Sequence, residues 1–164
     1  MAHITYRTAQ SRDAQALLQT RRSAVLCNHT DKYPRAILEA WAPVVDAATI
    51  HTESEALKDA DRITLLAQSE QKIVGFCTLG LSEGLLKQCY VLPEYAGMGI
   101  ARELVKQIET IAQDRGKKSL QLSSSLIALD FYKKQGYLER NHYYYDLGNG
   151  LQMLCVMMEK RLKK

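Results

Sequence analysis

Hydrophobic positions along this chain alternate first at strand period, then at helix period, then at strand period again. A strand is predicted over His3 to Thr8, where Ile4 and Tyr6 alternate with polar neighbours. Ala14, Leu17, Leu18, Arg21 and Val25 then recur at helical spacing and share one stripe, with Ser11 placed to cap the helix. Asn28 to Pro34 reads as a loop, and Ala36 to Trp41 as a short helix stopped by Pro43. From Val44 to Asp61 periodicity is weak, and only Glu53 to Lys58 suggests a helix.

Beyond Arg62 the signal sharpens. Ile63 to Ala67 and Lys72 to Leu79 are strand-like runs separated by a polar turn, a predicted hairpin. Leu85 to Leu92 is a third run, closed by Pro93. The strongest helix follows: Ala101, Leu104, Val105, Ile108, Ile111 and Ala112 fall on one face, and Gly116 supplies a stop. Ser119 to Leu122 reads as a strand and Leu126 to Gln135 as a helix. Tyr137 to Leu147 and Leu151 to Glu159 pair across Gly-Asn-Gly. Seven strands and about four helices in this order predict a mixed α/β (α+β) layout.

A length of 164 residues sets the expectation of one domain, residues 1–164, with a core that needs no crosslinks. At 46% hydrophobic and 24% charged residues the composition is that of a folded globular chain. The longest apolar run, Met153 to Met158, is far shorter than a membrane span, and the first residues carry no apolar leader core. Cys27, Cys77, Cys89 and Cys155 lack metal-ligand spacing, so no metal and a cytoplasmic location are expected. A net charge of +4, much of it in Lys160, Arg161, Lys163 and Lys164, makes a nucleic-acid partner unexpected and suits an anionic small ligand.

Candidate chemistry begins where the third run meets the strong helix, at Val91-Leu-Pro-Glu-Tyr-Ala-Gly-Met-Gly-Ile-Ala-Arg102. Gly97 and Gly99 allow a sharp turn and close approach of a ligand. The first N–H groups of a helix lack internal partners and sit at its positive pole, a ready site for phosphate oxygens. On local sequence alone, a tight turn without a ligand fits equally well. A dinucleotide fingerprint would need glycine at Arg102. A P-loop would need Gly-Lys-Ser/Thr, and Gly116-Lys117 is followed by Lys118.

The stretch Ala96 to Ala101 resembles the Arg/Gln-x-x-Gly-x-Gly/Ala signature of GCN5-related N-acetyltransferases (GNAT), and Val91 to Tyr95 resembles that family's V-x-P-E-Y lead-in. Ala96 departs from the pattern, removing a side chain but no backbone amide. A second segment, Ala128-Leu-Asp-Phe-Tyr132-Lys-Lys-Gln-Gly136-Tyr137, resembles the family's A-x-x-F/L-Y-x-x-x-G-F/Y. Ser125 stands where the family often has Asn, and the resemblance gives this position a side-chain contact to the cofactor. The chain thus looks like a small bacterial-type member.

The resemblance implies a twisted, mostly antiparallel sheet of about seven strands, splayed between strands 4 and 5 where coenzyme A enters. It implies that N–H groups of Gly97, Met98, Gly99, Ile100, Ala101 and Arg102 hold the pyrophosphate, and that Tyr90, Val91 and Leu92 bond the pantetheine arm. Acetyl-CoA is then the acyl donor and an amine-bearing small molecule or peptide the acceptor. Acyl transfer from a thioester expels a thiolate, and a hydroxyl beside it can return a proton; in the family this tyrosine does so, which marks Tyr132. Taken singly, a tyrosine beside Phe131 also fits simple core packing.

The base that frees the amine is not identified by sequence; Glu83, His29 and Glu53 are the candidates. Cys89 raises an acyl-cysteine route, against which direct transfer is expected because no histidine accompanies it. Lys133 and Lys134 could approach the adenosine end. Tyr33, Ile37 and Trp41 resemble the acceptor-side wall of some small members, and Tyr143-Tyr144-Tyr145 fits a cleft wall, a homodimer contact or sheet packing. A domain that binds acyl-CoA without turnover is the alternative, resting on Ala96 and Ser125.

Overall fold

The computed structural model describes residues 3–27 and 30–163. Seven strands form one sheet: β1 (Ile4–Thr8), β2 (Arg62–Ser69), β3 (Lys72–Gly80), β4 (Leu85–Val91), β5 (Ser119–Ser125), β6 (Leu138–Gly148) and β7 (Leu151–Arg161). Their spatial order is β1-β2-β3-β4-β5-β7-β6. Every neighbouring pair is antiparallel except β4 and β5, which run parallel. The helices are α1 (Ala14–Leu26), α2 (Arg35–Trp41), α3 (Ala47–Ala56), α4 (Ile100–Asp114) and α5 (Leu129–Lys134).

The two faces of the sheet are covered differently. On one, α4 buries Ile100, Leu104, Val105, Ile108 and Ala112 against Leu65, Ala67, Cys77 and Leu79 of β2 and β3. On the other, Leu17 of α1 packs on Leu66 and Phe76. Strands β2 and β3 are therefore apolar on both faces, which is why their runs are nearly continuous rather than alternating. A second cluster joins Val25, Tyr33, Ile37 and Leu38 to Met153 and Cys155 of β7, seating the α1–α2 region over the far half of the sheet.

The expected splay between strands 4 and 5 is present. Parallel pairing is confined to Leu85↔Gln121 and Leu86↔Leu122. Past that point β4 stays bonded to β3, and Ser123 to Ser125 stay bonded to β7. The sheet thus opens into two intact halves with a wedge between them.

Three elements differ from the sequence reading. Helix α3 spans Ala47–Ala56 rather than Glu53 to Lys58. It buries no residue, so it has no apolar stripe to betray it; a capping box starts it, with Thr49 N–H on Asp46 Oδ1 at 2.8 Å and Asp46 N–H on Thr49 Oγ1 at 3.0 Å. Strand β5 runs three residues past Leu122, because Ser123 to Ser125 pair with β7 whatever their propensity. Helix α5 accordingly starts at Leu129, after a turn in which Ala128 N–H bonds Ser125 Oγ at 3.1 Å.

Candidate active site

The wedge is lined from both faces of the sheet. A cavity of about 180 Å³ reaches Val25 and Trp41 on the α1–α2 side, and Cys89, Ser125 and Tyr132 on the α5 side. A second, of about 470 Å³, shares Trp41, Tyr90, Ser123 and Ser125 with the first and extends along Arg21 and Tyr143 to Tyr145. Together they form a passage through the gap in the sheet.

At the α4 end the chain passes from β4 through a short 3-10 turn, Pro93–Tyr95, into Gly97-Met98-Gly99 and the first turn of α4. Gly97 and Gly99 have φ of +78° and +80°, the left-handed region that side chains resist. A Cβ at either position would meet no protein atom within 4 Å, so both open onto free space. Among the described residues, the N–H groups of Gly97, Met98, Gly99, Ile100, Ala101 and Arg102 have no protein acceptor; the first amide of this helix to be bonded is Glu103 N–H, to Gly99 C=O at 3.0 Å. Six free donors at the positive end of a 15-residue helix make a cradle that fits a diphosphate. Arg102 and Met98 lie at its exposed rim.

Along β4 the free hydrogen-bonding edge alternates. Leu92 donates its N–H to Val74 C=O at 2.8 Å, so the backbone of Leu92, and of Tyr90 two residues back, is turned to β3. Val91 and Cys89 present their backbone groups to the gap. The Tyr90 side chain lies on the α1 face against Phe76 at 5.7 Å and Trp41 at 6.3 Å between ring centroids, whereas Leu92 is buried in the core.

Tyr132 is held on α5 with its ring edge-on to Phe131 at 5.1 Å and to Tyr137 at 5.9 Å. The family-like Gly136-Tyr137 pair explains the second contact. Gly136, at φ +92°, ends the helix, and Tyr137 turns back beneath Tyr132. Burial, helped by Cys89 and Cys77 nearby, pushes the Tyr132 hydroxyl well above the ordinary tyrosine range. It is therefore a protonated donor at neutral pH, lining the same cavity as Cys89.

Two further side chains shape the passage. The buried Tyr33 hydroxyl accepts from Leu126 N–H at 2.7 Å and donates to Leu154 C=O at 2.6 Å, and burial pushes its pKa up to about 12. It pins the turn between β5 and α5 to the segment before α2 and to β7. Ser123 Oγ hydrogen-bonds the Tyr143 hydroxyl across β7, while Tyr144 and Tyr145 are exposed. Ser125 Oγ is engaged by Ala128 N–H, so its side chain holds the α5 turn at the edge of the wedge.

The base candidates lie elsewhere. Glu83 is ion-paired with Lys87 at 2.8 Å, Glu53 with Arg62, and neither lines the passage. His29 lies outside the described residues. Lys133 is paired with Glu139 at 3.3 Å. Sequence reasoning took Arg21 only as a member of the α1 stripe, yet it reaches the passage; a charge at an otherwise apolar stripe position was the available signal. No group of metal-ligating side chains occurs among the described residues, and no described helix is long and apolar enough to cross a membrane.

Known structures share this architecture. A GCN5-related N-acetyltransferase from Rhodopseudomonas palustris matches with a TM-score of 0.85 and 26% identity, covering 99% of this chain and 98% of that one. The PaiA N-acetyltransferase from Thermoplasma acidophilum, in complex with coenzyme A, gives 0.76 at 20% identity over 97% and 99%. The yncA protein from Salmonella typhimurium, with its cofactor acetyl-CoA, gives 0.73 at 17% identity over 99% and 95%. No curated protein sequence matches the chain. The model of the Acetyltransferase (GNAT) family matches residues 24–137, a span that runs from the end of α1 through the amide cradle to Tyr137. With that match over more than half its length, the chain belongs to the GNAT family of acetyltransferases.

Proposed function

We propose that this protein is an N-acetyltransferase that moves an acetyl group from acetyl-CoA to a primary amine by direct attack, with Tyr132 protonating the departing thiolate. The observation that carries the reading is the opening between β4 and β5: β4 leads on into a turn with six unpaired amides, and a buried, protonated phenol shares a cavity wall with Cys89, Tyr90 and Val91 of that strand. The amides of Gly97 through Arg102 hold the pyrophosphate. The backbone groups that Val91 and Cys89 turn to the gap bond the pantetheine amides as a neighbouring strand would, between Tyr90 and Leu92. A hydroxyl desolvated in this way is a better hydrogen-bond donor to developing charge than one in water. Coenzyme A-bound and acetyl-CoA-bound structures of the same fold support the choice of donor.

Direct transfer is favoured over an acyl-cysteine because, among the described residues, no histidine lines the cavity with Cys89 and the one lysine there, Lys87, is paired with Glu83. Cys89 faces Cys77 on the neighbouring strand instead. The amine enters from the α1–α2 side, past Trp41. Four free thiols suit a reducing compartment such as the cytoplasm, and the single continuous sheet suits one catalytic domain over residues 1–164. The test is release of free thiol from acetyl-CoA with a panel of amines, with the acetylated amine identified by mass. Binding of coenzyme A without thiol release from any amine would reduce the protein to an acyl-CoA-binding module.

A further inference from the structure

The acceptor side of the passage carries a half-buried cation with no ion-pair partner among the described residues. Arg21 projects from α1 between Trp41 and Tyr90. Its Nε is buried without a hydrogen-bond partner, its Nη2 reaches Trp41 C=O at a long 3.4 Å, and the Tyr90 hydroxyl is the other polar group beside it. The guanidinium lies over the Tyr90 ring at 5.7 Å. No Asp or Glu among the described residues pairs with it, unlike Arg7, Arg35, Arg62 and Arg140. A guanidinium is never neutral in a protein, and leaving one half-buried and unpaired is costly.

Its neighbours are donors as well. Burial raises the Tyr90 hydroxyl, while the Arg21 charge and the facing Trp41 indole N–H act the other way. Guanidinium, indole and phenol thus converge on one corner of the larger cavity, with no side-chain carboxylate set among them. The other charges on the walls of this cavity differ from Arg21 in being exposed. Lys87 is paired with Glu83, and Asp146, exposed on the outermost strand, accepts from Gly148 N–H at 2.8 Å.

We propose that Arg21, with Trp41 and Tyr90, binds a carboxylate of the acceptor, so that the substrates are amino acids or other small amino-carboxylates. The inference rests on the acetyl-transfer reading for the role of the amine. One guanidinium flanked by neutral donors matches a single negative charge; a phosphate dianion would call for a second cation. The planar fork also suits two carboxylate oxygens. The corner shares its Trp41 and Tyr90 walls with the cavity that holds Tyr132, so a molecule anchored there directs its amine toward the gap. A cavity of about 470 Å³ accommodates an acceptor of amino-acid size.

The experiment compares phenylalanine, β-alanine and 4-aminobutyrate with their carboxamides, and with O-phosphoethanolamine, as acceptors for the full-length protein. The best carboxylate is expected to exceed its amide at least about thirtyfold in kcat/KM. Arg21→Gln should abolish that preference through KM while leaving KM for acetyl-CoA unchanged. Arg21→Lys, which keeps the charge and loses the fork, should retain part of it and serves if the glutamine variant folds poorly. A second arm titrates the N-acetylated forms of the same compounds, acids against amides, into the coenzyme A-loaded protein by calorimetry. Tighter binding of the acids that depends on Arg21 supports the carboxylate site even if no amine is turned over, in which case the acetyl-transfer reading alone falls. Equal binding of acids and amides, a preference untouched by Arg21→Gln, or preferred use of O-phosphoethanolamine would overturn the proposal.

Discussion

At the residue scale, the proposed chemistry turns on a phenol whose surroundings set its protonation. Tyr132 is almost wholly buried and packed by two aromatic rings, so its ionised form is disfavoured. Tyr132→Phe should lower kcat at least about tenfold and leave the affinity for acetyl-CoA nearly unchanged, measured by thiol release and by calorimetry. Because its folded pKa lies above the usual value near 10, no alkaline fall in kcat should come from Tyr132 below about pH 10. The pH profile should rise as the amine and its surroundings deprotonate and then stay level. Equal rates in variant and parent would remove the hydroxyl from the reaction.

At the element scale, two devices shape the proposed site. The first is the left-handed entry into α4. Gly99→Val forces a β-branched residue to φ near +80°, which costs on the order of 1–2 kcal/mol, and points its side chain into the space above the free amides. Coenzyme A binding should weaken at least about tenfold by calorimetry, and an unchanged affinity would sink the assignment of this loop. The second is the Tyr33 tether between the segment before α2, the start of the α5 turn and β7. Tyr33→Phe leaves Leu126 N–H and Leu154 C=O without their partner and should cost about 1–3 kcal/mol, read as a lower denaturation midpoint. The glycine entry was legible because Gly-x-Gly before a strongly amphipathic helix is a local pattern. The tether was not, since Tyr33 and Leu154 lie 121 positions apart.

At the scale of the whole molecule, the sheet is two antiparallel halves hinged at the short β4–β5 pairing, with α1 and α4 fastening the first half from opposite faces. The join between β1 and α1 depends on buried Asp13. It takes both Arg7 Nη atoms at 2.8 Å and Gln10 N–H at 2.7 Å. The Arg7 hydrogen bonds hold the Asp13 carboxyl below its ordinary value, against the effect of burial. A lowered folded pKa means this contribution is complete above the unfolded pKa, near 4, and is lost as pH falls through the folded one. Asp13→Asn should therefore melt lower than the parent at pH 6 to 7, with the gap narrowing as pH falls below the unfolded value near 4. A gap that stays constant with pH would show that the pair contributes no charge-dependent stability.

Local order in the sequence was enough to determine the strand succession, helices α1, α2 and α4, the glycine turn, the tyrosine on the next helix and the family these imply, because each is written in consecutive residues with a fixed period or spacing. Tertiary structure alone decided the rest. The extension of β5 through Ser125 came from pairing with β7, and α3 came from a cap rather than from burial. Arg21, Trp41 and Tyr90 converge only because α1 and α2 fold back over β4. Such groups share no spacing along the chain. What joins them is the packing of separate elements onto one sheet.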